Sequence, residues 1–287
     1  VKPAPFDYQA PRTLDAALAL LAGPDRPVTP LAGGQSLVPL LNLRRHRPAT
    51  VVDLNRVAGL AGIRVGADAV RIGAMTRLRS LETDPGLLGA LPVLAETVAE
   101  VAHRQIRHRS TFGGSLCHAD PSAQLPAVVL ALDARLTLHS VQGARTLTAE
   151  EFFLGAHVTA RRPTELLTAV EIPRRTGLRH RFESVTRRGN AGGPLVGVCL
   201  GVALDGPVVT RARIAASGVA DRPVRLREAE QALVGHRLDG ALDGVLDAVG
   251  IPTPPDDLHG SSAYRADMLR VVLRRAALHL AAVRSGS

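Results

Sequence analysis

Two stretches decide how this chain is read: Ala32-Gly33-Gly34-Gln35-Ser36-Leu37 and Thr111-Phe112-Gly113-Gly114-Ser115-Leu116. Each places two residues without Cβ atoms where a backbone must approach something bulky, and each follows them closely with a hydroxyl. Successive N–H groups in such a turn form a concavity for anions, and a following helix start adds to it. Two such loops from separate parts of one chain can hold a diphosphate from both sides, so a dinucleotide cofactor is the first expectation. A tight strand-to-helix turn also explains the first loop taken alone. Gly-Gly pairs by themselves carry little weight. The chain has 27 glycines in 287 residues and a third pair at Gly192-Gly193, and roughly two or three pairs are expected by chance at ordinary glycine usage.

Working outward from the first loop, Thr13 is placed to cap a helix with Leu14, Ala17, Leu18 and Leu21 on one side, and Gly23-Pro24 ends it. Val28 to Leu31 is predicted as a strand entering the loop, Ser36 as a cap for Leu37 to Leu41, and Val51 to Leu54 as the next strand. Around the second loop, Val70 to Gly73 is predicted as a strand and Leu91 to Ala102 as a helix. The basic run His103 to Arg109 is expected as a solvated loop, or as a binder of phosphate or of a partner's acidic face. Asp120-Pro121 has the form of an ordinary helix start. Leu125 to Leu132 is predicted helical, and Arg135 to His139 and Leu166 to Ile172 as strands.

Pro173-Arg174-Arg175-Thr176-Gly177 marks a boundary. Beyond it, Leu195 to Leu204 and Val208 to Ala216 form two strands joined at Asp205-Gly206, a hairpin signal. Helices are expected around Arg227 to Leu233 and from about Ser262 to Val283, the latter with Leu269, Val272, Leu273, Ala276 and Leu280 on one face. The expected organisation is therefore α+β, with units at 1–55, 56–175 and 176–287.

Composition narrows the function classes. The formal charge is +9 and lysine occurs once, at Lys2, so the basic charge is nearly all arginine. That balance raises a nucleic-acid or polyanion binder as one reading. Dispersed arginines and seven aromatic rings (Phe6, Tyr8, Phe112, Phe152, Phe153, Phe182, Tyr264) argue against it. Two cysteines, Cys117 and Cys199, cannot ligate an iron–sulfur cluster and do not make a secreted disulfide scaffold. No apolar run is long enough to span a bilayer, and a soluble cytoplasmic protein is expected. Neither a Gly-x-Gly-x-x-Gly turn nor a Walker-type loop is present, so a dinucleotide site here is not of the doubly wound kind. His103, His108, His118 and Asp120 have no zinc-ligand spacing, and no metal is expected. Cys117 is expected as a small buried thiol rather than a nucleophile.

The two glycine stretches resemble the paired FAD-pyrophosphate motifs of the flavoprotein subunits of molybdenum hydroxylases. These are similar to the medium subunit of carbon monoxide dehydrogenase and the FAD domain of xanthine dehydrogenase. Ile106-Arg107, His118-Ala119-Asp120-Pro121, Leu125-Pro126, Glu171-Ile172-Pro173, Asp221-Arg222-Pro223-Val224-Arg225 and Tyr264-Arg265 extend the resemblance over essentially the whole chain. It implies a two-part α/β region of vanillyl-alcohol-oxidase (PCMH) type that clasps FAD, followed by a C-terminal domain of a small antiparallel sheet with helices. On that reading Ala32, Gly33, Gly34, Gln35, Ser36, Leu37, Thr111, Gly113, Gly114 and Ser115 hold the pyrophosphate. Val101, Ala102 and Leu167 lie beside the flavin, and His118 and Gln124 lie near the ribityl chain or ring.

The resemblance further implies an electron-transfer subunit with no catalytic acid or base of its own. It would work with a molybdopterin-binding large subunit and a [2Fe-2S] small subunit, as a heterotrimer or a dimer of heterotrimers. A stand-alone FAD oxidoreductase of the same fold is the alternative. Three departures stand out: Phe112 where the family has Ile, Gln124 where it has an acid, and Gly192-Gly193-Pro194 where it carries an acid and a flavin-covering aromatic. A branched side chain at Gly33 or Gly114 is expected to abolish flavin retention by intruding where phosphate sits.

Overall fold

In a computed structural model, residues 2–23, 27–175, 177–186, 193–238 and 254–282 are described. The chain opens with β1 (Asp7–Gln9), α1 (Leu14–Leu21), β2 (Val28–Leu31), α2 (Leu37–Asn42) and β3 (Thr50–Asp53). Thr13 Oγ1 accepts from Ala16 N and caps α1, whose Ala17, Leu18 and Leu21 are buried. The three strands form a parallel sheet in the order β1-β3-β2. Its core joins these α1 residues to Val52, Leu54, Val57, Leu60, Met75 and Leu166, so packing continues without a break past residue 55.

The second region contains β4 (Ile63–Val65), β5 (Ala69–Gly73), α3 (Leu78–Thr83), α4 (Pro85–Ala90), α5 (Pro92–Glu100), α6 (Arg104–Arg109), α7 (Phe112–His118) and α8 (Gln124–Ala131). It continues with β6 (Arg135–Ser140), β7 (Gly143–Thr148), α9 (Ala149–Phe152), β8 (Phe153–Gly155), β9 (Val158–Thr159) and β10 (Leu166–Pro173). A five-stranded antiparallel sheet runs β4-β5-β10-β6-β7. α8 is buried at every position, which explains why it shows no amphipathic stripe in the sequence.

Four sequence expectations are corrected here. His103 to Arg109 is not a solvated loop: it is largely α6, turned inward at Arg107. The second glycine stretch is not a loop either, because Thr111 caps α7 and both glycines lie in its first turn. Asp120-Pro121 starts no helix. Asp120 Oδ1 instead accepts from Ser122 N and Oγ, and α8 begins three residues later. Ser36 stands before α2 but its hydroxyl caps nothing.

The third region is a sheet of β11 (Arg179–Thr186), β12 (Pro194–Asp205), β13 (Val208–Ser217) and β14 (Val224–Arg225), followed by α10 (Arg227–Leu233) and α11 (Ser262–Ala282). The Asp205-Gly206 turn joins β12 to β13 with Gly206 at φ 52°. One face of this sheet packs on α11 through Leu269, Val272, Leu273, Ala276 and Leu280. From the other face Phe182, Cys199 and Ala215 join the core of the second region. The sheet is thus covered on both sides, which is why β12 is almost continuously apolar. The expected end of the long helix at Val283 lies outside the described residues, as does Gly192 of the Gly192-Gly193-Pro194 stretch; Gly193, at φ 65°, and Pro194, the first residue of β12, are described.

His180 on β11 faces Gly201 on β12, whose missing Cβ leaves space for the imidazole. Burial pushes the His180 pKa down to about 4, with Asp133 opposing and Arg175 adding to the effect. The unfolded chain therefore binds a proton more readily than the folded one between about 6.5 and about 4. Stability from this group is complete above that window and falls as pH drops through it, by up to about 3 kcal/mol. His180→Phe, which keeps a ring over Gly201, should flatten the pH dependence of unfolding between pH 7 and 4. Parallel curves for the two proteins would contradict this.

Candidate functional site

The two glycine stretches touch. A Cβ on Gly33 would press on the Arg109 carbonyl and lie 2.7 Å from Ser110 Cα, immediately before the second stretch. A Cβ on Gly114 would meet Thr111 Oγ1 at 2.7 Å and the Ala32 side chain at 3.3 Å. One on Gly113 would meet Ala74 Cβ at 2.5 Å. These glycines serve close approach of protein to protein, which corrects the expectation that their substituents would enter the phosphate space. Only Gly34, at φ 76°, is required by backbone conformation.

The two stretches differ in what they offer an anion. In the first, the N–H groups of residues 33 to 37 donate to no acceptor among the described residues. In the second the donors are used. Phe112 N donates to Thr76 O, Gly113 N to Ala74 O, Gly114 N to Thr111 Oγ1 and Ser115 N to Thr111 O. The first stretch is thus an open row of donors, and the second is a rigid wall that presents the Ser115 hydroxyl.

Two side chains latch these walls together. Asn55 Nδ2 donates to Ala32 O at 2.9 Å, and Arg77 donates through NH2 to Asn55 Oδ1 at 2.6 Å and through NH1 to Arg109 O. Neither residue was singled out by the sequence, because each lies far along the chain from the stretch it holds. Arg77→Met removes charge-assisted bonds of about 1.5–3 kcal/mol. It should weaken FAD binding roughly ten- to a hundredfold in a flavin fluorescence titration. An unchanged Kd would show that the latch is dispensable.

Between the walls lies a cavity of about 500 Å³. It is lined by Ala32, Gly33, Gly34, Gln35, Ser36, Leu37, Val101, Ala102, Thr111, Gly113, Gly114, Ser115, His118 and Leu167. Fourteen of the fifteen residues singled out from the sequence are therefore brought together. Gln124 is the exception. It is 5% exposed, does not line the cavity, and turns its amide toward Glu100 O at 3.5 Å. The sequence reading missed Met75, Ile106, Asp120 and Arg161 on the lining. Asp120 was visible within His118-Ala119-Asp120-Pro121, whereas Arg161 carries no local signal. Arg161 is brought in by the turn before β10, where its NH1 donates to the Glu165 carbonyl.

The Val101-Ala102 wall is a strained turn, with Ala102 at φ 48°. Arg107 holds it from behind, donating through NH1 to both Val101 O and Ala102 O. Its other nitrogens grip Glu82 with two bonds, at 3.0 and 3.2 Å. Burial would raise the Glu82 pKa, but hydrogen bonds from Arg107 and Arg79 outweigh it and the carboxyl lies below its usual range. His118 is half-buried with its ring 4.7 Å from that of His157. Burial first, and the neighbouring His157 second, lower its pKa. Cys117 also reaches the cavity, but burial raises its thiol to about 11, so it stays protonated and unreactive.

The chemistry of this lining fits a dinucleotide: consecutive free N–H donors and hydroxyls for phosphates, then an apolar and strained flank for a flat ring. Comparison with known proteins agrees. Residues 4–175 match the family described as the FAD binding domain in molybdopterin dehydrogenase, and residues 180–280 match the CO dehydrogenase flavoprotein C-terminal domain. The chain is 39% identical to the 6-hydroxypseudooxynicotine dehydrogenase complex subunit alpha of Paenarthrobacter nicotinovorans, over 98% of this chain and 97% of that one. It is 38% identical to the carbon monoxide dehydrogenase medium chain of Afipia carboxidovorans, over 96% of each. The structure of reconstituted CO dehydrogenase from Oligotropha carboxidovorans superposes with a TM-score of 0.91 at 34% identity, over 98% of this chain and 99% of that chain.

This chain belongs to the FAD-binding flavoprotein family of the molybdopterin dehydrogenases. Within that family it is similar to the medium subunits, and FAD is its cofactor. Among the described residues no helix is long and apolar enough to cross a membrane.

Proposed function

We propose that this chain is the electron-transfer subunit of a molybdenum-containing hydroxylase or dehydrogenase. Substrate is oxidised at a molybdopterin centre on a large subunit. The electrons leave through [2Fe-2S] clusters on a small subunit, reach the flavin site of this chain and pass to a final acceptor. The assembly is a heterotrimer or a dimer of heterotrimers in the cytoplasm, in keeping with the two free thiols. FAD supplies the conversion between single-electron and paired-electron chemistry.

The residues of this chain bind and orient it. N–H groups of residues 33 to 37 and the hydroxyls of Ser36 and Ser115 take the diphosphate. Val101, Ala102 and Leu167 flank the ring, and His118 lies toward the ribityl chain. Residues 1–55 and 56–175 form the two halves of the clasp, and 176–287 buttresses it. No side chain of the lining is assigned as a general acid or base. The observation that carries this reading is the row of five N–H groups with no acceptor among the described residues, on residues that line the cavity beside the Ser115 wall.

The test is direct. The purified chain should carry FAD, and its visible flavin absorption should bleach on mixing anaerobically with the reduced iron–sulfur subunit. A chain that retains FAD but stays oxidised under those conditions would overturn the electron-transfer role.

A further inference from the structure

The basic run at residues 103–109 is only partly used by the cofactor site. Arg107 points inward to Glu82 and the Val101-Ala102 turn, and Ile106 reaches the cavity. The remaining side chains, His103, Arg104, Gln105, His108 and Arg109, are exposed. None of these five side chains is bonded to another described residue, and the outward face contains no Asp or Glu. It therefore carries the Arg104 and Arg109 charges with no carboxylate on the same face, on a backbone that the Arg107–Glu82 pair holds rigid.

Its position gives the patch a use. α6 starts just after Ala102 and ends just before Ser110, and both of those residues line the cavity, as does Ile106 between them. A protein seated on α6 thus lies against the flank of the flavin site. Electron transfer weakens steeply with distance, so the subunit that delivers electrons must sit on a surface bordering that cavity. Opposite charge across such a contact speeds encounter and sets orientation.

We propose that the outward face of α6, centred on Arg104, His108 and Arg109, is the seat of an acidic face of the iron–sulfur subunit. This rests on the electron-transfer reading above. The face contributes recognition and does not hold FAD, since Arg104 and His108 are exposed and neither lines the cavity.

The experiment measures binding of the FAD-loaded chain to its iron–sulfur subunit, isolated from the same complex, across a salt series. Arg104→Glu/His108→Glu should keep full flavin content. It should raise Kd about tenfold or more at low salt and flatten the salt dependence. Arg211→Glu, an exposed change on the C-terminal sheet, is the comparison for charge in general. Equal Kd for wild type and the double variant overturns the proposed seat and leaves the electron-transfer reading standing. An Arg211→Glu effect as large as that of the double variant also overturns it. No binding by the wild-type chain in any salt defeats the electron-transfer reading and this one together.

Discussion

Gly33→Val is expected to give a chain without flavin. The new Cβ is driven into the backbone at Arg109 and Ser110, and neither group is the far end of a flexible side chain. The first stretch must move away from the second, and Asn55 and Arg77 cannot hold both at once. Overpacking of this kind costs about 1–3 kcal/mol or more. Here the strain falls on the gap that sets the diphosphate site. The flavin-to-protein ratio should fall close to zero, with a lowered Tm. Gly33→Ala should also lose most of the flavin, because its Cβ occupies the same place. Gly89→Ala, at an exposed position of α4 with nothing within 4 Å, should keep full flavin content and at most raise the Tm slightly. Full flavin content in Gly33→Val would mean that the two stretches need not touch.

The second large effect is expected at Arg107. Its removal takes the bidentate partner from Glu82 at a site where both side chains are largely buried, 10% and 15% exposed, and leaves only the Arg79 ion pair at 2.9 Å. Breaking one partner of a buried pair costs up to about 3–5 kcal/mol, and the remaining Arg79 pair offsets part of that. Arg107→Met should therefore lower the Tm sharply and release FAD. Arg107→Lys should not restore it, since an ammonium cannot reach Glu82 and two carbonyls at once. Glu82→Leu/Arg107→Met separates the two roles. It removes the carboxylate that has lost its bidentate partner and should recover much of the stability. It should still bind FAD weakly, because the carbonyls of Val101 and Ala102 lose their donor. Tight flavin binding in that double variant would assign Arg107 to folding alone.

These variants also mark how far local reading reaches. Strand and helix positions follow from short patterns. Val28 to Leu31, Val51 to Asp53 within the strand Thr50–Asp53, the Asp205-Gly206 hairpin and the buried face of α11 all match their sequence signals. α6 did not, because Arg107 is charged yet buried, and its partner Glu82 lies 25 residues earlier. α7 hid behind two glycines, whose low helix propensity is offset by the Thr111 cap and by packing on Ala74. Gln124 lies near the second stretch in the sequence, but α8 carries it into the core and away from the cavity.

What the sequence determined by itself is the pair of glycine stretches, the kind of cofactor they serve and the order of the units around them. These depend on residue types within a few positions of one another. Only the tertiary structure decided that the glycines exist for contact between the two stretches, and that the free donors belong to the first. It also decided that Asn55, Arg77 and Arg107 hold the walls in place. The physical reason is that the direction of an absent Cβ and the partner of an N–H are set by chain segments dozens of residues away. Packing alone brings those segments together.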